Sequence, residues 1–139
     1  MPTVDANVWV AAFDTKDRFH DDSVAFLRNL AGEETRTSAP AIVILEVACA
    51  LARRYADPTM GHKAALKMKA NKLLHLEPLD DGLLLEALRL GTKFRLRAAD
   101  ALYLATAALG TDDGLVSWDN ELVERAGAAT PTAWLASHR

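Results

Sequence analysis

TVDANVWV, residues 3–10, places an acid inside an apolar run. The stretch PTVDA reads as a short strand and NVWVAAF as a helix turn, so the chain passes from strand to helix around Asp5. Asp is a favoured N-cap residue, and capping alone would account for it. The carboxyl end of a strand is also where open α/β sheets bind their ligands. Which reading holds depends on what the rest of the chain brings to the same place.

The strand-then-helix alternation continues down the chain. FHDDSVAFLRNLAG (residues 19–32) has the apolar spacing of an amphipathic helix, and TRTSA (35–39) reads as a second strand. SAPAIVILEVACALARRY (38–55) reads as a helix with Ser38 near its cap and Pro40 in its first turn, where the missing N–H costs nothing. A further helix covers residues 57–71, a third strand 72–79, and two helices 80–94 and 96–109. GLVSW (114–118) is a fourth strand, DNELVERAG (119–127) a short helix, and AAT (128–130) a possible fifth strand before a terminal turn. Strands separated by helices pair in parallel through right-handed crossovers, which predicts an α/β sandwich with helices on both faces. No linker or repeat divides the 139 residues, so one domain spans residues 1–139.

Composition narrows the function classes. Half of the residues are hydrophobic and a quarter charged, the balance of a soluble globular protein rather than a disordered one. Cys49 is the only cysteine, which excludes an internal disulfide, suits a reducing compartment, and reads as a packed side chain. The N-terminus has no signal-peptide pattern, and the longest apolar stretch, residues 39–52, is too short for a membrane span and contains Glu46. These features predict a cytoplasmic protein without a membrane partner. The formal net charge of −3 offers no general affinity for polyanions. Basic residues nonetheless cluster locally: Arg53 and Arg54, then Lys63, Lys67, Lys69 and Lys72, then Lys93, Arg95 and Arg97. Each cluster reads either as a phosphate-contacting surface or as a solvated helix face.

Four acids stand out by position. Asp5 and Asp119 both follow strands, although Asp119 also stands where an N-cap for the next helix belongs. Glu46 has Ile42, Val43, Cys49 and Ala50 as its helical neighbours, which predicts a carboxylate on a buried stripe. Asp100 has Leu96, Tyr103 and Leu104 beside it, with Arg97 as the fourth neighbour, and its place in a first turn also suits the helix dipole. A buried carboxylate must be compensated, and acids that converge repel one another unless a cation joins them. All-oxygen ligation of this kind suits Mg²⁺ or Mn²⁺. Zinc does not fit, because the four histidines are scattered and Cys49 has no partner.

Taken together, VDANVWVAA, ILEVACAL, RAADALYLATA and LVSWDNEL resemble the motifs of the PIN-domain ribonucleases, and especially the VapC-type toxins of bacterial toxin–antitoxin pairs. The resemblance covers nearly the whole chain in the family's motif order. It implies a three-layer α/β/α sandwich with a parallel sheet in the order 3-2-1-4-5, a homodimer, and cleavage of RNA phosphodiesters by a metal-activated water. It assigns Asp5, Glu46, Asp100 and Asp119 as catalytic metal ligands for one or two Mg²⁺ or Mn²⁺ ions, with Asn7 and Ser117 supporting them. Ser117 stands where the family often has Thr, which keeps the hydroxyl. Arg53, Arg54, Lys93, Arg95 and Arg97 are the candidate RNA contacts. A small VapB-like antitoxin is implied as partner, with the helix around Ile42 to Leu51 and the basic helix after it as candidate groove walls. The alternative is a non-catalytic module of the same fold that binds RNA or protein. A phosphotransferase of the haloacid-dehalogenase type also has an Asp after its first strand, but would want a second at position 7, where Asn7 stands.

Overall fold

The computed structural model describes residues 1–110 and 113–138. Its first strand, β1 (Thr3–Val4), is buried on both faces and has a strand on each side. Thr3 pairs with Ser38 of β2 (Thr37–Pro40) and with Leu115 of β4 (Leu115–Val116), and β3 (Leu74–Glu77) lies beyond β2. All pairings are parallel, giving the order β3-β2-β1-β4. The expected fifth strand is reduced to one parallel bridge, Ala129 beside Val116, at the outer side of β4. Parallel strands buried on both faces need covering layers. The helices that flank this sheet are α1 (Ala6–Phe13), α2 (His20–Gly32), α3 (Val43–Tyr55), α4 (Pro58–Ala70), α5 (Asp81–Phe94), α6 (Ala98–Leu109), α7 (Asn120–Ala126) and α8 (Pro131–Ser137).

Two boundaries differ from the sequence reading. Ser38 and Pro40 lie in β2, not in the first turn of a helix; α3 begins only at Val43. The Ser38 hydroxyl shares a hydrogen bond with that of Thr3, 2.8 Å away, so it joins strands rather than capping a helix. Pro40 falls at the last residue of its strand, where its missing N–H interrupts no ladder beyond it. At the other end of the chain the expected turn is a helix, α8, with Pro131 at its start and the Thr130 side chain accepting from the Ala133 amide.

The main core joins Val4 and Val116 of the sheet to Val8 of α1, Phe26 of α2, Val47 of α3 and Tyr103 of α6. A second cluster packs Leu83, Ala87 and Leu90 of α5 against Ala101, Leu102 and Ala105 of α6. Two glycines permit close helix approach. A Cβ on Gly61 of α4 would fall 2.3 Å from the Ala48 carbonyl oxygen of α3, and one on Gly91 of α5 would fall 2.8 Å from the Ala101 Cβ. Among the described residues, no helix is long and apolar enough to cross a membrane.

Candidate active site

β1 ends at Val4 and β4 at Val116, side by side, so the residues that follow them leave the sheet together. Asp5 occupies the N-cap position of α1, yet its side chain makes no capping hydrogen bond. Its Oδ2 instead accepts from the Ser117 hydroxyl at 2.7 Å. The capping reading of Asp5 therefore fails for the side chain. Only 6% of Asp5 is exposed, and burial pushes its carboxyl up to about 6; the Ser117 hydroxyl pulls the other way, and the charge of Asp100 adds to the rise.

Ser117 is fully buried and uses all its bonding capacity. It donates to Asp5, accepts from Asn7 Nδ2 at 3.1 Å, and accepts from the Asp119 amide at 3.0 Å. Asn7 Oδ1 accepts from the Trp118 amide at 3.1 Å. One small network thus fixes the turn after β4 against the start of α1. Asp119 does cap α7, with Oδ1 accepting from the Glu121 amide at 2.8 Å, while its Oδ2 lies 3.4 Å from Arg97 Nη2.

Glu46 and Asp100 arrive from helices. Glu46 is half-buried rather than part of the buried stripe of α3, which consists of Val43, Val47 and Leu51; Cys49 is exposed, not packed. Of its four apolar neighbours only Val43 is in that stripe; Ile42 and Ala50 are half-buried and Cys49 is exposed, so Glu46 sits beside the stripe. Glu46 is compensated by Tyr103, whose hydroxyl donates to Oε1 at 2.7 Å. Burial raises the Glu46 carboxyl, the Tyr103 bond lowers it, and Asp100 raises it again, for a net rise. Asp100 is also raised, by burial first and then by the Asp119 charge, against the pull of Arg97. The four acids therefore feel one another's charge: Asp5 with Asp100 and Glu46, and Asp100 with Asp119.

Tyr103 and the bridging position of Arg97 escaped the sequence reading. Tyr103 is fully buried, and a buried phenol needs a partner, which was the available signal. Arg97 spans two acids, with Nε 3.4 Å from Asp100 and Nη2 3.4 Å from Asp119. Among the other expected RNA contacts, Arg53, Lys93 and Arg95 are exposed. Arg54 is not a free contact: its Nη1 donates to Asp14 at 2.9 Å and to Asp17 at 2.8 Å. Burial opposes the charge on Asp14, but Arg54, the Lys16 amide and the Tyr55 hydroxyl outweigh it and hold the carboxyl below its usual range. Lys63, Lys67 and Lys69 lie on the solvated side of α4.

Among the described residues, no three His, Cys, Asp or Glu side chains already converge as a formed metal cage. The donor set nevertheless fits a hard divalent cation. It is made of carboxylate oxygens, and Asp100 Oδ2 is buried with no hydrogen bond and only the exposed Arg97 Nε, 3.4 Å away, to offset its charge, which leaves room for a cation.

The family model described as PIN domain matches residues 3–128. Two solved structures share the fold. A toxin–antitoxin complex from Klebsiella pneumoniae aligns with a TM-score of 0.65 at 18% identity, over 94% of this chain and 98% of that one. A crystal structure of Mycobacterium tuberculosis VapC20, described as a sarcin–ricin loop cleaving toxin, aligns with a TM-score of 0.62 at 16% identity, over 99% of this chain and 95% of that one. No curated protein matches the sequence.

Proposed function

The chain belongs to the PIN-domain family, and on that premise we propose that it is a divalent-metal-dependent endoribonuclease acting as the toxin of a toxin–antitoxin pair. The observation that carries the proposal is that Asp5 and Asp119 follow adjacent parallel strands and share the Ser117 hydroxyl, with Glu46 and Asp100 near enough for their charges to raise the Asp5 carboxyl and Arg97 bridging Asp100 to Asp119. Asp5, Asp100, Glu46 and Asp119 are the residues that would hold Mg²⁺ or Mn²⁺. Such a cation, when bound, supplies a water of lowered pKa and neutralises charge developing on the phosphate.

The chain's own residues do the rest. Ser117 fixes the Asp5 carboxylate by hydrogen bond, and Asn7 braces Ser117 from the first turn of α1. Tyr103 holds one oxygen of Glu46 and leaves the other free to act as ligand or to orient a water. Arg97 balances the charge of Asp100 and Asp119 from an exposed position, where a guanidinium can also meet an RNA phosphate. Arg53, Lys93 and Arg95 are further phosphate contacts in this reading, and Arg54 is not.

An inhibitor is part of the proposal, as the likeness to a toxin–antitoxin complex supports. So is a homodimer: Leu84, Leu85 and Leu88 of α5 are exposed, more apolar surface on one helix than a solvated face requires. Sedimentation at micromolar concentration is expected to give twice the monomer mass, and a monomer there contradicts this part. The functional reading is tested by inducing the chain in bacterial cells and mapping new RNA ends. Growth arrest with discrete new ends, both absent for Asp5→Asn, is the expected result. Unaffected growth with an unchanged RNA population contradicts it.

A further inference from the structure

Beside the acids lies a cleft of about 290 Å³ that shares Asn7 and Asp119 with them. Its other walls include Arg18, Phe19, Arg54 and Trp118. Phe19 and Trp118 stack face to face, with ring centroids 4.1 Å apart and planes within 6°. The Arg18 guanidinium lies 4.5 Å from the Phe19 centroid, and since Trp118 takes one face of that ring, Arg18 covers the other. Both rings are only half-buried.

The stack is held more firmly than a surface contact requires. The indole N–H of Trp118 donates to Ser23 Oγ at 2.8 Å, on a fully buried serine, and its amide donates to Asn7. The Phe19 amide donates to Asp17 Oδ1 at 2.8 Å, and Asp17 is fixed in turn by Arg54. Arg18, by contrast, is exposed and pairs with no carboxylate among the described residues. A rigid aromatic face under a displaceable guanidinium is the chemistry that recognises an unpaired base: the ring stacks, and the cation takes a neighbouring phosphate. The volume is at the lower end of small-ligand sites, enough for one base.

We propose that this cleft is a nucleobase subsite, which stacks one unpaired RNA base on Phe19 in the place Arg18 now covers, next to the phosphate to be cut. The proposal rests on the ribonuclease reading. Trp118, which backs Phe19, stands between Ser117, which bonds Asp5, and Asp119, so the platform adjoins two of the four acids and the base it holds flanks the scissile bond.

The test is titration of the intact chain, in Mg²⁺, with AMP, GMP, CMP, UMP and ribose 5-phosphate, followed by tryptophan fluorescence and by calorimetry. At least one mononucleotide is expected to bind about tenfold more tightly than ribose 5-phosphate, with a fluorescence change that Trp118→Phe removes. Phe19→Leu is expected to weaken that binding about tenfold. If this variant does not fold, Arg18→Ala, at an exposed position, is expected to weaken it about threefold. The bound mononucleotide should also compete with cleavage of a single-stranded RNA octamer. Ribose 5-phosphate binding as tightly as the mononucleotides, or variants binding like the wild type, overturns the subsite while EDTA-sensitive cleavage leaves the ribonuclease reading standing. Base-dependent binding that leaves RNA cleavage untouched assigns the cleft to a free nucleotide and overturns the proposal. Base-dependent binding by a chain that cuts no RNA overturns it together with the reading on which it rests.

Discussion

Asp5 is the most deeply buried of the four acids. An Asp raised to about 6 from its ordinary value binds a proton more readily folded than unfolded. Its contribution to stability is therefore fully present below about pH 4 and is lost as pH rises through about 6. The metal-free protein should lose about 2–3 kcal/mol over that window, and Asp5→Asn should lose much less, so urea midpoints of the two diverge above pH 6 and approach each other near pH 4. Equal pH profiles would refute this rise for Asp5. Ser117→Ala is expected to lower cleavage about 10- to 100-fold through loss of the Asp5 orientation, with Ser117→Thr retaining most of the rate, as a kinetic comparison would show. Strand ends singled out Asp5 and Asp119 and likeness to a family joined the four acids into one candidate site, while the helical spacing that placed Glu46 on the buried stripe set it one step too far inward. Tyr103 on Glu46 and Arg97 on Asp119 were not, since each joins residues far apart in the chain, and side-chain hydrogen bonds across such distances leave no periodicity to read.

Helix ends and helix contacts decide the behaviour of the elements. Ala56 closes α3 in the left-handed region, at φ 49°, where a Cβ is disfavoured. Ala56→Gly should stabilise the fold by about 1 kcal/mol in denaturant unfolding, and a loss of stability would contradict the strain. Gly61→Ala should cost about 1–3 kcal/mol, because the added carbon meets the backbone of α3 rather than a movable side chain. Arg54 ties the end of α3 to the loop before α2 through Asp14 and Asp17, and Asp14 is buried. Arg54→Ala should therefore lower stability by about 2–3 kcal/mol. Unchanged stability with weakened RNA binding would return Arg54 to the role its sequence context suggested. The helices were readable from apolar spacing, but β2 was partly taken for helix. Four residues give too little alternation to show a strand, and what makes one of Thr37–Pro40 is pairing with β1 and β3 on either side.

Across the whole molecule, the order β3-β2-β1-β4 makes the site possible. It sets β1 beside β4 at the reversal of strand order, so Asp5 and Asp119 leave the sheet as neighbours while α3 and α6 bring Glu46 and Asp100. The alternation of strands and helices announced a parallel sheet, but the order came through likeness to a family, because strand order depends on contacts no local pattern records. The fifth strand shrank to one bridge for the same reason: Ala129 pairs on one side only, and the chain turns into α8 two residues later. The central claim is that these four carboxylates form a cation-dependent site for cutting RNA. It is tested most directly by the cleavage rate of a single-stranded RNA at rising Mg²⁺ concentration, for the wild type and Asp5→Asn. Expected are no cleavage in EDTA, a saturable rise for the wild type, and a rate at least about a hundredfold lower for Asp5→Asn. Cleavage that survives EDTA, or that proceeds equally in the variant, would contradict it.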